Sequence, residues 1–485
     1  MHTPPLHTPK KETAMRVKIS AVYNYIEKFS IYICLAFLVL GFCATEAWPV
    51  CGTAVSKGIE FLLNAYSYIV PFLLYLLVAP ALFKVLGLKE KYGNGWVLSV
   101  FAQFVVTRVL AILFSAVALA LIFRLPIATH SASGWQGALK DSFLLLGRAL
   151  VFSPFLWGIY AAVITVFVFS KSGKVKNIFS KVGAGIENIG QGFVVLAPFF
   201  MLALGAFLSH LPAYIERGLS GSSLNFDAPS FNFNILGLQH IPGKYKFVGL
   251  YLAIGLLTGL LCIIWHILYL AATKIIQPKF RLRSYIKNYW VRIYPLLWAS
   301  SSESLAVPLN LNLMKRTFPY VPAEIRQFVI SGGSYLGING TVISVYVMGA
   351  VLAKVLNVPI SFSQLALSLP AIFVLGYAVP GIPGELIIFA GAMGQLLGVP
   401  PQTLPFFLAL YLTMQIGLPD SFRTGCNSTD CALVSIMSSV KVSLHKRWTV
   451  KKRIGFSYRF FVARNTRFAY RFLTRQFLEA KSPLG

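Results

Sequence analysis

The sequence predicts an all-α polytopic membrane protein with eight transmembrane helices and two re-entrant helical hairpins. Of its 485 residues, 56% are hydrophobic and only 12% are charged. Too few polar residues remain to cover a soluble globule, and many apolar runs are long enough to cross about 30 Å of hydrocarbon. These two observations exclude an ordinary soluble domain.

Apolar runs define the eight predicted spans, and two shorter apolar stretches define the hairpins. The stretches at 288–310 and 362–400 are interrupted by Ser, Gly and Pro, which predicts helical segments that enter the membrane and turn back. The eight spans lie near residues 28–47, 60–86, 95–123, 141–170, 184–209, 246–273, 325–357 and 405–438.

Basic residues in the loops predict the orientation. They cluster before the first predicted span and after the second, fourth and sixth, whereas the other loops contain few. The positive-inside rule therefore predicts a cell (inner) membrane protein with both termini in the cytoplasm. Residues 1–27 are expected to form a cytoplasmic tail, because their first 18 residues lack the apolar core of a cleaved signal peptide.

The formal net charge of +28 allows two interpretations. Nucleic-acid binding is one, but the basic residues lie between apolar spans and not on a soluble domain. In residues 441–485, Arg and Lys alternate with aromatic residues, a pattern typical of a cytoplasmic segment on anionic lipid. We therefore expect membrane lipid and no nucleic acid as a partner. The six cysteines lack metal-ligand spacing, which predicts no zinc site and no cofactor.

One face of the last predicted span is polar. At about 100° per residue its polar side chains fall within about 120° of one helix face. Charges at membrane depth cost several kcal/mol, so they are expected to pair and to face a cavity or a transport pathway. The side chains are Asp420, Arg423, Thr424, Asn427 and Asp430.

This polar face has two interpretations. Asp420 and Arg423, three residues apart, could neutralise each other and hold helices together, which leaves Asn427 and Asp430 unexplained. Alternatively, the face binds a zwitterionic or anionic ligand: Asp420 takes an ammonium group and Arg423 holds a carboxylate in fork geometry. Thr424 and Asn427 would then add neutral hydrogen bonds.

Three further segments interrupt apolar runs. Broken helices expose backbone N–H and C=O groups at membrane depth, which is tolerable only beside a cavity and is useful for binding ions, as in transporters. Small residues also pack transmembrane helices, so each segment alone is a weak signal. The polar or helix-breaking residues are Ser300, Ser301, Ser302 and Glu303; Gly333, Gly337, Asn339 and Thr341; and Gly381, Pro383, Gly384 and Glu385.

The order of these motifs resembles the dicarboxylate/amino acid:cation symporter family, which has the glutamate transporter fold. The motifs are SSSESLAVP, GINGT, VPGIPGEL followed by GQLLGVP, and DSFRTGCNSTD. The resemblance is strong over residues 298–435 and looser back to about residue 60. It implies a homotrimer with inverted repeats, a fixed scaffold and a transport domain that moves as an elevator.

The resemblance also implies a domain organisation. Residues 28–275 would be mainly scaffold, although the third and sixth helices would move with the transport domain. Residues 276–440 would form the transport core, with both hairpins and the last two helices, and residues 441–485 would be the basic cytoplasmic tail.

The same resemblance assigns substrate-binding roles. Asp420 would bind the substrate amino group and Arg423 a side-chain carboxylate, while Thr424, Asn427 and Thr341 would contact the remaining polar groups. Ser300–Ser302 and the backbone of 381–384, including Gly381, Pro383 and Gly384, would close over the substrate. The plain dicarboxylate carriers of the family look similar but have Ser at the position of Asp420. Asp and Arg together therefore favour an acidic amino acid, glutamate or aspartate, over the alternatives of a dicarboxylate or a neutral amino acid.

The sequence motifs for cation coupling match the family pattern less well than those for substrate binding. The resemblance makes Gly333, Asn427 and Asp430 candidate sodium ligands, with Gly337 and Asn339 beside them. However, GINGT replaces the family pattern NMDGT, NSTD is one residue shorter than NxxGD, and Ile416 stands where an aspartate is usual. These departures leave at least one sodium site of the family unaccounted for.

Two carboxylates stand where the family has small residues, Glu303 and Glu385. One hypothesis is that one or both titrate, so that a proton replaces part of the sodium coupling. The alternative is that each faces water or pairs with a basic side chain.

An ion channel and a membrane-embedded enzyme are rival classes for the whole protein. We expect no enzyme and no catalytic residue, because HExxH, Ser/His and phosphate-loop motifs are missing and His266 is an isolated residue, typical of packing.

Overall fold

The computed structural model describes residues 25–26, 28–48, 68–69, 71–86, 94–127, 135–152, 154–220, 231–242, 245–377 and 386–453. Every regular element in these ranges is helical, which confirms the predicted all-helical fold. Gly381, Pro383, Gly384 and Glu385, which the sequence assigns to the second hairpin tip, lie outside the described residues.

Eight α-helices lie in the described part of the first 276 residues. A 3-10 turn, Gly190–Val195, separates the sixth helix from the seventh. Ser30–Ala47, Gly95–Ile122 and Lys246–Ile276 are long and apolar enough to cross a membrane. The helices are α1 Ser30–Ala47, α2 Pro71–Leu86, α3 Asn94–Ile122, α4 Trp135–Phe152, α5 Pro154–Phe169, α6 Gly173–Ile189, α7 Leu196–Ser220 and α8 Lys246–Ile276.

Shorter helices follow, as expected for a region with many interruptions. A π-helical turn, Ile286–Trp290, lies between the first two of them. They are α9 Leu282–Tyr285, α10 Val291–Ser300, α11 Glu303–Thr317, α12 Ala323–Leu336, α13 Asn339–Val355, α14 Phe362–Leu367, α15 Leu369–Leu375, α16 Ile387–Leu396, α17 Leu404–Met414 and α18 Leu418–Arg453.

Several predicted spans are broken in the structure. The run 141–170 is two helices, because Pro154, which begins α5, has no backbone N–H with which to continue the hydrogen bonds of the preceding helix. The run 325–357 is interrupted at Gly337–Ile338. The run 405–438 is interrupted before Leu418, where Gly417 has a φ of +81°, a conformation that glycine adopts without steric cost.

The helix α13 lies at the centre of the core. Of its residues only Lys354 is not buried, and a helix that is buried all round is typical of a protein interior. It packs against α3, α8, α16 and α17. Large apolar side chains are exposed on the outer helices, for example Phe167 on α5 at 83% and Leu256 on α8 at 64%. This distribution suits an outer surface in contact with lipid.

The described residues up to Ser439 form one compact unit, and those from Val440 onward are grouped separately. Within the first unit α1 packs closely along α7. A Cβ atom at Gly41 would lie 2.1 Å from the Leu202 carbonyl oxygen, and one at Gly205 would lie 2.0 Å from that of Leu38. The two backbones approach this closely only because both positions are glycine.

Candidate substrate and cation site

The start of α18 is fixed by a tyrosine from α8. The Tyr251 hydroxyl donates to the Ile416 carbonyl and accepts from the Leu418 amide, both at 2.8 Å. It satisfies one of the amides that a helix N-terminus leaves without an intrahelical partner. Asp420 therefore lies in the first turn of α18, against the centre of the core.

Asp420 and Arg423 pair with each other. The guanidinium contacts Asp420 Oδ1 through both Nε and Nη2. Its Nη1 donates to Thr341 Oγ1 of α13 at 3.2 Å. The two residues are 1% and 0% exposed, so two opposite charges are held inside the protein with little access to water.

Asn427 joins α18 to the two helix interruptions. Its Oδ1 accepts from the backbone amides of Gly340 at 2.6 Å and Thr341 at 3.2 Å. Its Nδ2 donates to Thr341 Oγ1 and to Glu303 Oε1, each at 2.8 Å. In a continuous helix those two amides would bond carbonyls four residues earlier, so Asn427 stabilises the break before α13.

Asp430 is surrounded by hydrogen-bond donors. Trp265 Nε1 and Asn339 Nδ2 both donate to Oδ2 at 2.8 Å. His266 Nδ1 lies 3.0 Å from Oδ1, and its Nε2 lies 2.9 Å from the Tyr285 hydroxyl. Both carboxylate oxygens of Asp430 thus have hydrogen-bond partners from α8 or α13.

The role of His266 is not evident from the sequence. It was expected to be a packing residue, and it contacts Asp430 across 164 positions of the chain. Only the polar pairing Trp265-His266 within an apolar run signals it, and that signal does not identify its partner. Its tautomer determines which ring nitrogen donates.

The serine segment between α10 and α11 meets the start of α18. Ser301 has a φ of +48°, and its Oγ lies 3.2 Å from Ser421 Oγ, beside Asp420. Ser302 accepts from the Leu305 amide at 3.4 Å and caps α11. Glu303 is the first residue of α11 and is 2% exposed. The structure therefore brings Ser301, Glu303 and the polar face of α18 together.

Thr424 has a buried hydroxyl that is not satisfied by the described residues. Its Oγ1 has no hydrogen-bond partner among them, although the residue is only 1% exposed. A buried polar group in this condition costs about 1–3 kcal/mol. It lies one turn from Asp420 on the same helix.

The two candidate glycines of the interrupted helix lie next to the Asp430 region. A Cβ atom at Gly333 or Gly337 would lie 2.6 or 2.5 Å from Cys431 Sγ, and both positions also contact Phe104.

All of these polar and glycine positions fall in one stretch of the chain. Residues 238–440 match the model of the sodium:dicarboxylate symporter family.

This match confirms the predicted family resemblance over those 203 residues. Members of this symporter family are transporters, not enzymes. A search of curated proteins found no match. The matched stretch contains Asp420, Arg423, Asn427 and Asp430 and excludes α1–α7.

Within residues 238–440 a second polar contact holds α11 against α18. Asn310 Nδ2 donates to Ser428 Oγ at 3.0 Å, and Asn310 Oδ1 accepts from the Tyr289 hydroxyl at 2.9 Å. Both residues of the Asn310–Ser428 contact are buried. This contact fixes the serine segment relative to Asp420 and Arg423.

A cavity of about 180 Å³ lies near the site but does not include it. Its lining is mainly apolar and contains no atom of Asp420 or Arg423. The low exposure of Asp420 and Arg423 shows that the carboxylate and the guanidinium are enclosed. Its lining includes Cys262, His266, Tyr285, Trp290 and Tyr294.

Proposed function

We propose that this protein is a secondary active transporter that imports an acidic amino acid, glutamate or aspartate, by symport with a cation. The observation that carries the proposal is the buried Asp420–Arg423 pair. It sits where α11, α13 and α18 meet, and Thr341 and Asn427 link these helices beside it.

Partner exchange explains why this pair suits such a ligand. A substrate ammonium takes the place of Arg423 at Asp420, and a substrate carboxylate takes the place of Asp420 at Arg423. Breaking a buried pair is costly when one charge is left alone, but here each charge gains a new partner. An inserted zwitterion therefore leaves no buried charge uncompensated.

An acidic amino acid has a second carboxylate that also needs donors. The Ser301 hydroxyl, which lies next to that of Ser421, and the Thr424 hydroxyl, one turn from Asp420 on α18, are proposed to supply them. A plain dicarboxylate lacks the ammonium and would meet Asp420 with like charge. A neutral amino acid would place its one carboxylate at Arg423 and leave these hydroxyls without a second carboxylate. Both remain the alternative substrates of the proposal.

Coupling is proposed to use sodium, protons or both. Asn427 and Asp430 are the candidate cation ligands, with Gly333, Gly337 and Asn339 beside them. Glu303 contacts Asn427 at 2.8 Å, so protonation of Glu303 would alter the hydrogen bonding of the residue that holds the helix break. Glu385 keeps the same proposed role.

The proposed assembly is a homotrimer with elevator movement. It would lie in the inner membrane with both termini in the cytoplasm. Native mass spectrometry of the 53.5 kDa chain would reveal three copies or exclude them.

Ligand-dependent thermal stability of the purified protein tests the substrate class. We expect L-aspartate or L-glutamate to raise the Tm more than succinate or L-alanine. Asp420→Asn, which removes the partner of the ammonium, should lose this preference, whereas Asp141→Asn at an exposed position of α4 should keep it. If succinate stabilises the wild type at least as much as aspartate does, the proposed substrate would be a dicarboxylate and not an amino acid.

A further inference from the structure

Arg108 is a buried cation on α3 that the substrate site does not use. It is 1% exposed and is among the largest fully buried side chains. A charged side chain at membrane depth costs several kcal/mol and normally marks a functional position. Among the described residues no carboxylate pairs with its guanidinium, so its positive charge is compensated by other groups.

The first compensating group is the carboxyl end of α12. Arg108 Nη2 donates to the Leu336 carbonyl oxygen at 3.0 Å. In a continuous helix that carbonyl would accept from the Gly340 amide, but this amide donates to Asn427 Oδ1 at 2.6 Å. The helix interruption thus frees the carbonyl that Arg108 binds.

The second compensating group is the carboxyl end of α15. Arg108 Nη1 donates to the Phe373 carbonyl oxygen at 3.3 Å. The Tyr377 amide, which would reach this carbonyl in a continuing helix, bonds the Val374 carbonyl at 3.0 Å. The Tyr377 ring centre lies 4.0 Å from Arg108 Cζ, and cation–π attraction adds to the contact.

Two interrupted helices therefore present carboxyl ends to one positive charge. Helix C-termini carry partial negative charge, and the carbonyls of broken helix ends are groups with which transporters coordinate coupling cations. We propose that the Arg108 guanidinium is a resident cation that occupies the position of one mobile coupling cation. It joins the end of α12 to the end of α15 permanently, so this position needs no sodium.

This inference rests on the proposed cation symport, because it concerns the number of cations that accompany the substrate. It agrees with the degraded sodium motifs of the sequence, of which GINGT follows directly after Leu336. The protein is expected to couple one sodium ion fewer than a relative with a small residue at the position of Arg108. Its second interrupted segment, which begins with α15, is held at this point without a mobile ion.

The test compares sodium-dependent thermal stability of Arg108→Gln, Arg108→Lys and wild type in detergent, with choline chloride replacing sodium chloride at constant ionic strength. Arg108→Gln removes the charge and leaves the two carbonyls to a sodium ion. We expect a saturable sodium-dependent rise in Tm of about 2 °C or more beyond that of the wild type. Arg108→Lys keeps a positive charge and should respond as the wild type does, as should the control Arg148→Gln at an exposed position of α4.

An equal sodium response in Arg108→Gln and wild type would overturn the proposal and leave Arg108 a purely structural contact. If Arg108→Gln does not fold, the sodium dependence of Arg108→Lys decides, and a steeper dependence than that of the wild type would overturn the proposal. The thermal measurement requires no substrate. Failure of the wild type to transport acidic amino acids would therefore contradict the proposed function and leave the result on Arg108 unaffected.

Discussion

At the scale of the residue, the four hydrogen bonds of the Asn427 side chain hold the parts of the site together. One amide side chain accepts from two backbone N–H groups and donates to a hydroxyl and a carboxylate. All four bonds are buried, and buried polar groups are costly when their partners are removed. The broken helix before α13 is therefore maintained by a residue of another helix.

Replacement of Asn427 by leucine is expected to destabilise the protein strongly. The Gly340 and Thr341 amides lose their acceptor, and the loss should cost about 2 kcal/mol or more. Thermal unfolding in detergent measures the change. Asn188→Leu on α6 is a matched control, because Asn188 is exposed and surface substitutions usually change stability by only about 0.5 kcal/mol. Equal changes in both variants would contradict this role of Asn427.

Residue identity could be predicted from the sequence where the signal is local. The polar face of α18 follows from helical periodicity, and the structure does bring Asp420, Arg423 and Asn427 together with Thr341. The contacts of His266 with Asp430 and of Arg108 with Leu336 are different, because they join residues 164 and 228 positions apart. Their positions depend on tertiary packing, which no local pattern determines.

At the scale of the element, α13 and α18 are held unusually close. A Cβ atom at Gly340 would lie 2.3 Å from the Arg423 carbonyl oxygen and 2.9 Å from its Cα. Only glycine allows this approach, which places the Thr341 hydroxyl within reach of both Arg423 and Asn427. The spacing of the site thus depends on one missing side chain.

Gly340→Ala is expected to separate α13 from α18. Overpacking of a dense core usually costs about 1–3 kcal/mol, and here it would also displace Thr341 from Arg423. Both the Tm and the aspartate-dependent rise in Tm should fall. Gly391→Ala on α16 is the control, since a Cβ atom there has nothing within 4 Å, and it should be neutral or slightly stabilising. A Gly340→Ala protein with normal stability and ligand response would show that the close approach is unnecessary.

The element boundaries were only partly predictable. Pro154, Gly337 and Gly417 mark three breaks in runs that hydrophobicity alone joins into single spans. Their residue types were visible, but small residues and prolines also occur inside transmembrane helices. Whether a glycine ends a helix depends on partners such as Asn427 and Tyr251, which come from other elements.

At the scale of the whole molecule, the family match covers residues 238–440 and the site lies within it. The preceding helices contribute Arg108 of α3, whose guanidinium binds the ends of α12 and α15. Three helices of the described residues are also long and apolar enough to cross a membrane. The proposed elevator movement requires the enclosed Asp420–Arg423 pair to become accessible from each side in turn.

Uptake of radiolabelled aspartate and glutamate into proteoliposomes, with sodium and pH gradients imposed separately, tests the central claim most directly. We expect saturable uptake driven by a sodium or proton gradient, and its loss in Arg423→Ala, because the substrate carboxylate then lacks its partner. Uptake driven only by inward protons would assign coupling to Glu303 and Glu385. No uptake under either gradient, or full uptake in Arg423→Ala, would contradict the assignment of Asp420 and Arg423 to an acidic amino acid.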